Sequence, residues 1–185
     1  MDADGTIDTA ASAPPNLPTK RIGPVEVPAD FDPRAAALAG LVAGAVYLEA
    51  MELDLAFFRR NTDDLVLLGR PFVKRPSRAR TVGLAIHLGN AAALGVVYAF
   101  LAESRLSGAP WRRGTLFASL ENVVLYPLTA LENRHAAVRD GQIDRYWNAE
   151  AFVQSMPRHA AYGATLGFLY DRWRRKPVRG VGAAS

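Results

Sequence analysis

The chain has 185 residues, the size of one domain with tails. It contains no cysteine, which excludes disulfides, zinc–thiolate sites, iron–sulfur clusters and a cysteine nucleophile. Lys and Arg outnumber Asp and Glu 22 to 18, a net charge of +4, but the basic residues border apolar runs, so lipid headgroups are the expected partner and nucleic acid is not.

Residues 1–33 hold half of the prolines and no sustained apolar period, and are expected to form a disordered tail. There is no basic start followed by an apolar core, so the first apolar run is read as an uncleaved anchor rather than a signal peptide. Asp32-Pro33 marks the start of a first helix, with Asp as N-cap and Pro at the first helical position. Its strictly apolar part, Ala35–Leu48, would rise only about 21 Å. To cross a hydrocarbon core of about 30 Å, it must continue through Glu49, Glu52 and Asp54 to Phe58. Gly40 and Gly44, with Ala36, Ala43 and Tyr47, form a stripe that admits a second helix at close range.

Residues 59–80 read as a basic loop, with Asn61-Thr-Asp-Asp64, Pro71 and Pro76 as breakers and Leu65–Leu68 touching the membrane surface. A second span, Thr81–Leu101, carries no formal charge and lines up Gly83, His87, Asn90 and Leu94 on one face. After a turn at Ser107-Gly-Ala-Pro110 and an interfacial Trp111, a third span, Thr115–Leu131, is interrupted by Glu121 and Asn122. Pro127 predicts a kink near Val123–Pro127. Asp140-Gly141 is the next turn, and Tyr146-Trp147 a second interfacial anchor. The fourth span, Ala151–Tyr170, carries Arg158 and His159 early and Gly163 and Gly167 later. A Trp and a basic cluster close it.

Four spans put both termini on one side, and the basic residues divide too evenly between the two sides to orient the chain. Helical rise and antiparallel wiring place Glu49 and Glu52 at the depth of His87 and His159. The expected site is therefore an intramembrane polar layer of Glu49, Glu52, His87, Asn90, Arg158 and His159, with Glu121 apart in the other half. Gly40, Gly44, Gly163 and Gly167 are the expected helix-packing positions. Isolated charges in lipid are expensive, so these groups should pair or face water.

The layer admits four readings: polar glue between helices, a metal site drawing on Glu49, Glu52, His87 and His159, haem held between the two histidines, and a proton or ion path. Glu132-Asn-Arg-His135 has the spacing of the Glu-x-x-His element of di-metal bundles, in one copy only. No phosphate loop, nucleophile elbow or HExxH run is present. No catalytic residue and no cofactor is assigned.

The run His159-Ala-Ala-Tyr162-Gly163-Ala-Thr-Leu-Gly167-Phe-Leu-Tyr170, followed by basic residues, resembles the last helix of small uncharacterised bacterial inner-membrane proteins of the YagU-like kind. Their Gly/Ala-rich first helix is similar to Ala39-Gly-Leu-Val-Ala-Gly44. The resemblance implies a multi-span membrane protein without assigned activity and transfers no site residue. The expectation is an all-α, four-helix antiparallel transmembrane bundle over 34–176, between tails at 1–33 and 177–185, in the bacterial inner membrane. Its leading function is that of a structural or assembly component, with a protein partner or second copy left open. A metal- or haem-dependent enzyme or redox carrier is the alternative.

Overall fold

The computed structural model describes residues 27–58 and 60–174; most of both expected tails lies outside them. Among the described residues the chain is all-helical. Helix α1 spans Pro33–Phe57, α2 Asp64–Gly69, α3 Pro76–Val97, α4 Pro110–Leu125, α5 Ala136–Arg139 and α6 Ala149–Trp173. A π-helical turn, Tyr98–Ala102, extends α3, and a 3₁₀ segment, Tyr126–Arg134, continues from α4.

Local chemistry sets these boundaries. Asp32 caps α1, its Oδ1 accepting from the amides of Arg34 and Ala35 at 3.1 and 3.0 Å. Pro127, which has no N–H to continue an α-helical ladder, falls where α4 gives way to the 3₁₀ segment. Gly141, at φ 67°, takes the left-handed turn after α5. The basic loop is shorter than expected. α3 begins at Pro76, and Asn61-Thr-Asp-Asp64 is a helix start in which Asp63 Oδ1 accepts from Leu65 N and Val66 N at 2.9 and 3.1 Å. Leu65 and Val66 are consequently buried rather than spread on a membrane surface.

The four long helices form an open arc. α3 packs on α1, α1 on α6, and α6 on α4, whereas α3 and α4 make no extended contact with each other. Glycine makes the contacts close. A Cβ on Gly40 would lie 2.3 Å from Ala91 O of α3, and one on Gly44 2.6 Å from Ala91 Cβ. A Cβ on Gly163 would lie 2.3 Å from Gly114 O of α4, and one on Gly167 2.1 Å from Pro110 O. α2 locks onto α3 in the same way through Gly69 and Gly83.

The side-chain distribution is inverted relative to a water-soluble bundle. The core of the arc is largely Ala and Tyr: Ala36, Ala39, Ala43, Tyr47, Tyr98 and Tyr170 are all buried. Large apolar side chains instead face outward, among them Leu38 and Val42 on α1, Leu116, Leu120 and Val124 on α4, and Val153 and Phe168 on α6. Ion pairs gather at the ends. At the end where α1 starts, Arg113 and Arg174 reach Glu103 at 3.0 and 2.9 Å, and Arg174 also holds Asp30 at 2.5 Å. That pair ties part of the expected tail to the end of α6. At the other end, Arg60 pairs with Glu150 at 2.7 Å and Arg70 with Asp140 at 2.5 Å.

Two helical stretches, Pro33–Phe57 and Pro76–Ala102, are long and apolar enough to cross a membrane. Four were expected. The polar groups that α4 and α6 turn toward each other, Glu121, Asn122, Ser155 and His159, make their sequences less apolar than their outer faces.

Candidate functional site

Two polar clusters lie in the half of the arc nearest the interhelical loops. The first is centred on Arg158, whose side chain is 2% exposed. Its guanidinium forks onto Asp54, Nε to Oδ2 and Nη2 to Oδ1, the latter at 2.7 Å. Nη1 donates to Asp64 Oδ2 at 3.0 Å and to Thr62 O at 2.9 Å, and Nη2 to Thr62 Oγ1 at 2.8 Å. Asp64 also accepts from the hydroxyls of Tyr47 at 2.7 Å and Tyr146 at 3.0 Å. Gln154 Nε2 donates to Asp54 Oδ1 at 2.5 Å. Every guanidinium nitrogen of Arg158 therefore has an acceptor. Such charge-assisted, bidentate contacts are the strong class of hydrogen bond. The Tyr146 hydroxyl is pushed well above its ordinary pKa, first by burial and then by the Asp64 charge beside it.

The partners of Arg158 differ from those expected. Glu49 is exposed, and Glu52 is exposed and pairs with Arg80 at the edge of α3. The reason is rotation. At about 100° per residue, Tyr47, Met51 and Asp54 share the face that begins at Ala36 and Gly40, while Glu49 lies on the far side of the helix. Glu49 and Glu52 therefore do not join His87, Arg158 and His159. The four metal candidates are not brought together, and no group of three or more His, Asp or Glu side chains with metal-binding geometry occurs among the described residues.

The second cluster lines a cavity of about 610 Å³ that occupies the gap between α3 and α4. The Tyr47 ring is its floor, flanked by His87 at 5.0 Å and His159 at 5.2 Å between ring centroids. His87 Nε2 lies 3.1 Å from Gly44 O. A carbonyl only accepts, so Nε2 carries the proton and Nδ1 is left as an acceptor. His159 Nδ1 donates to Ser155 O at 2.9 Å, leaving Nε2 to face Glu121 Oε2 at 3.6 Å. Glu121 thus belongs to the histidine pair rather than to a separate half. Asn90 lines the cavity from α3 and is exposed. Asn122 faces it from α4 while donating to Ser155 Oγ at 2.9 Å. Leu94, Leu125 and Leu128 supply an apolar wall.

The Glu-x-x-His run has other work. Glu132 Oε2 accepts from the amides of Tyr146 and Trp147, the latter at 2.9 Å, pinning the loop before α6. His135 Nδ1 caps α5 by accepting from Ala137 N at 3.2 Å. Burial, with Arg70 nearby, lowers the His135 pKa. Tyr146, expected at an interface, is buried in this network, whereas Trp147 is 51% exposed.

Comparisons with curated proteins and with solved structures give no match. The YagU-like resemblance of the last helix is not shown by the family comparison, which instead matches a family of unknown function over residues 32–181. That span takes in all six helices and both polar clusters, and the chain belongs to this family, DUF6789.

Proposed function

We propose that this is an integral membrane protein of four spanning helices that binds a small amphiphile in the lipid-facing cavity between α3 and α4. The observation that carries the binding function is the cavity itself. Two helices of the arc fail to meet, and the space between them has an apolar wall and a polar floor. Its volume is within the range of small-molecule sites, roughly 300–1,000 Å³.

The inverted side-chain distribution supports the membrane setting. Small residues at helix contacts and large apolar side chains outside are what lipid favours, and the ion pairs gathered at the two ends fit two headgroup regions, the Arg158 cluster being the paired exception between them. α6, at 25 residues, rises about 37 Å, and the 16 residues of α4 rise about 24 Å before the 3₁₀ segment adds to them. Both are compatible with a core of about 30 Å.

The intramembrane polar groups then divide by duty. The Arg158 cluster is saturated and acts as the structural layer that joins α1 to α6. The His87, Glu121 and His159 wall retains unused hydrogen-bonding capacity and is the functional part. The test is mass spectrometry of small molecules extracted from detergent-purified protein, parent against Leu125→Trp, which fills the cavity. The parent should retain an amphiphile near one per chain, and the variant should lose it. Equal content in the two would refute the binding role. Release of the protein from membranes by a carbonate wash, as monodisperse material without detergent, would refute the membrane setting.

A further inference from the structure

Resting on that reading of the cavity, we propose that its ligand is a neutral amphiphile whose head carries a hydroxyl, the shared chemistry of a quinol and a long-chain or polyprenyl alcohol, with that hydroxyl donating to His87 Nδ1.

An anionic head is disfavoured because no lysine or arginine among the described residues lines the cavity, while three carboxylates, Asp64, Glu121 and Glu132, do. A phosphate or fatty-acid carboxylate would be desolvated there against like charge. A cationic head is disfavoured for a different reason: each of those carboxylates is already engaged. Asp64 accepts from Tyr47, Tyr146 and Arg158, Glu132 from two backbone amides, and Glu121 Oε2 faces His159 Nε2 at 3.6 Å. A permanent cation would find the Asp64 and Glu132 carboxylates already accepting from other donors, and would forfeit the hydration it has in water.

A neutral head must still match the polar floor. His87 Nε2 is committed to Gly44 O, and Nδ1 has no hydrogen-bond partner among the described residues. It accepts and cannot donate, so a hydroxyl satisfies it and an ether or ester oxygen does not. Asn90, one turn further along α3, offers a donor and an acceptor to a second head-group oxygen. The Tyr47 ring between the two histidines presents an apolar face to a ring or chain. Behind the head, Leu94, Leu125 and Leu128 lead out through the gap between α3 and α4, so the cavity holds the head and the proximal tail while the rest of the chain lies in lipid.

The experiment uses the full-length protein in neutral detergent and titrates four probes by calorimetry: decylbenzoquinol, its dimethyl ether, dodecanol and dodecanoate. The quinol or the alcohol should bind at least tenfold more tightly than the ether and the carboxylate, and which of the two binds better identifies the source. His87→Phe should remove that tenfold preference, and His87→Asn, which keeps an acceptor, should retain part of it; melting temperatures show that both variants fold. Leu125→Trp should abolish binding of every probe. Equal affinity for quinol and ether, lost together in Leu125→Trp, overturns the hydroxyl assignment while leaving the cavity as a binding site. Tighter binding of the carboxylate overturns it as well. If no probe binds, the cavity reading fails with it.

Discussion

Replacing Arg158 by Leu is the perturbation the structure resolves best. The substitution removes five hydrogen bonds at once: two to Asp54, one to Asp64 and two to Thr62. It leaves Asp54 and Asp64, whose side chains are only 13% and 16% exposed, without their cation. Breaking a buried pair by deleting one partner costs about 3–5 kcal/mol, because the remaining charge stays desolvated. For a domain of this size that corresponds to a fall of roughly 6–20 °C in melting temperature. Arg158→Lys keeps the charge but loses the fork and should fall between parent and Leu. Arg158→Leu combined with Asp54→Leu should recover part of the loss, since the unpaired carboxylate goes too. The assay is thermal unfolding of the full chain in detergent, followed by circular dichroism. If Arg158→Leu melts with the parent, or if the double variant loses the sum of the two single losses, the cluster does not hold α1 to α6.

Two further outcomes follow from packing and titration. Gly167→Leu and Gly44→Leu should destabilise strongly, since even a Cβ would lie 2.1 Å from Pro110 O and 2.6 Å from Ala91 Cβ respectively; Gly89→Ala, with nothing within 4 Å, should instead stabilise by about 0.4–1 kcal/mol in the same melting assay. His135 accepts from Ala137 N and is held neutral, with its folded pKa below the ordinary histidine value. Below that ordinary value, about 6.5, the unfolded chain binds the extra proton first, so stability present above it should be lost as pH falls through the folded pKa. His135→Asn, which can still cap, should flatten that part of the pH–stability curve; an unchanged curve would show that His135 does not titrate with folding.

The start of α1 at Asp32-Pro33, the Pro127 break and the Asp140-Gly141 turn were legible because each rests on a residue whose backbone chemistry is local. Rise alone set His87 and His159 at one level, where both flank Tyr47, but it put Glu121 in the other half, whereas Glu121 faces His159. Rotation was misread. The stripe Ala36, Gly40, Ala43, Tyr47 continues at helical spacing to Met51 and Asp54, and following it would have delivered the true partner of Arg158. The more conspicuous Glu49 and Glu52 sit off that face. α2 was missed because Asn61-Thr-Asp-Asp64 contains a cap as well as a loop composition, and only the tertiary contact of Gly69 with Ala79 and Gly83 shows which reading prevails. The gap between α3 and α4 had no sequence signal, because it depends on which helix pairs pack and not on any one helix.

The most direct test of the account asks whether that gap opens to lipid. In the cysteine-free chain, a bimane label is placed singly at Asn90 in the cavity, at Leu120 on the outer face of α4, and at Ala118, 1% exposed between α4 and α6. The protein is reconstituted in bilayers carrying doxyl-labelled lipid, with iodide as the aqueous quencher. Lipid quenching is expected at 90 and 120, little at 118, and weak iodide quenching at all three. Strong iodide quenching at 90 without lipid quenching would contradict it, because the cavity would then face water and not the membrane.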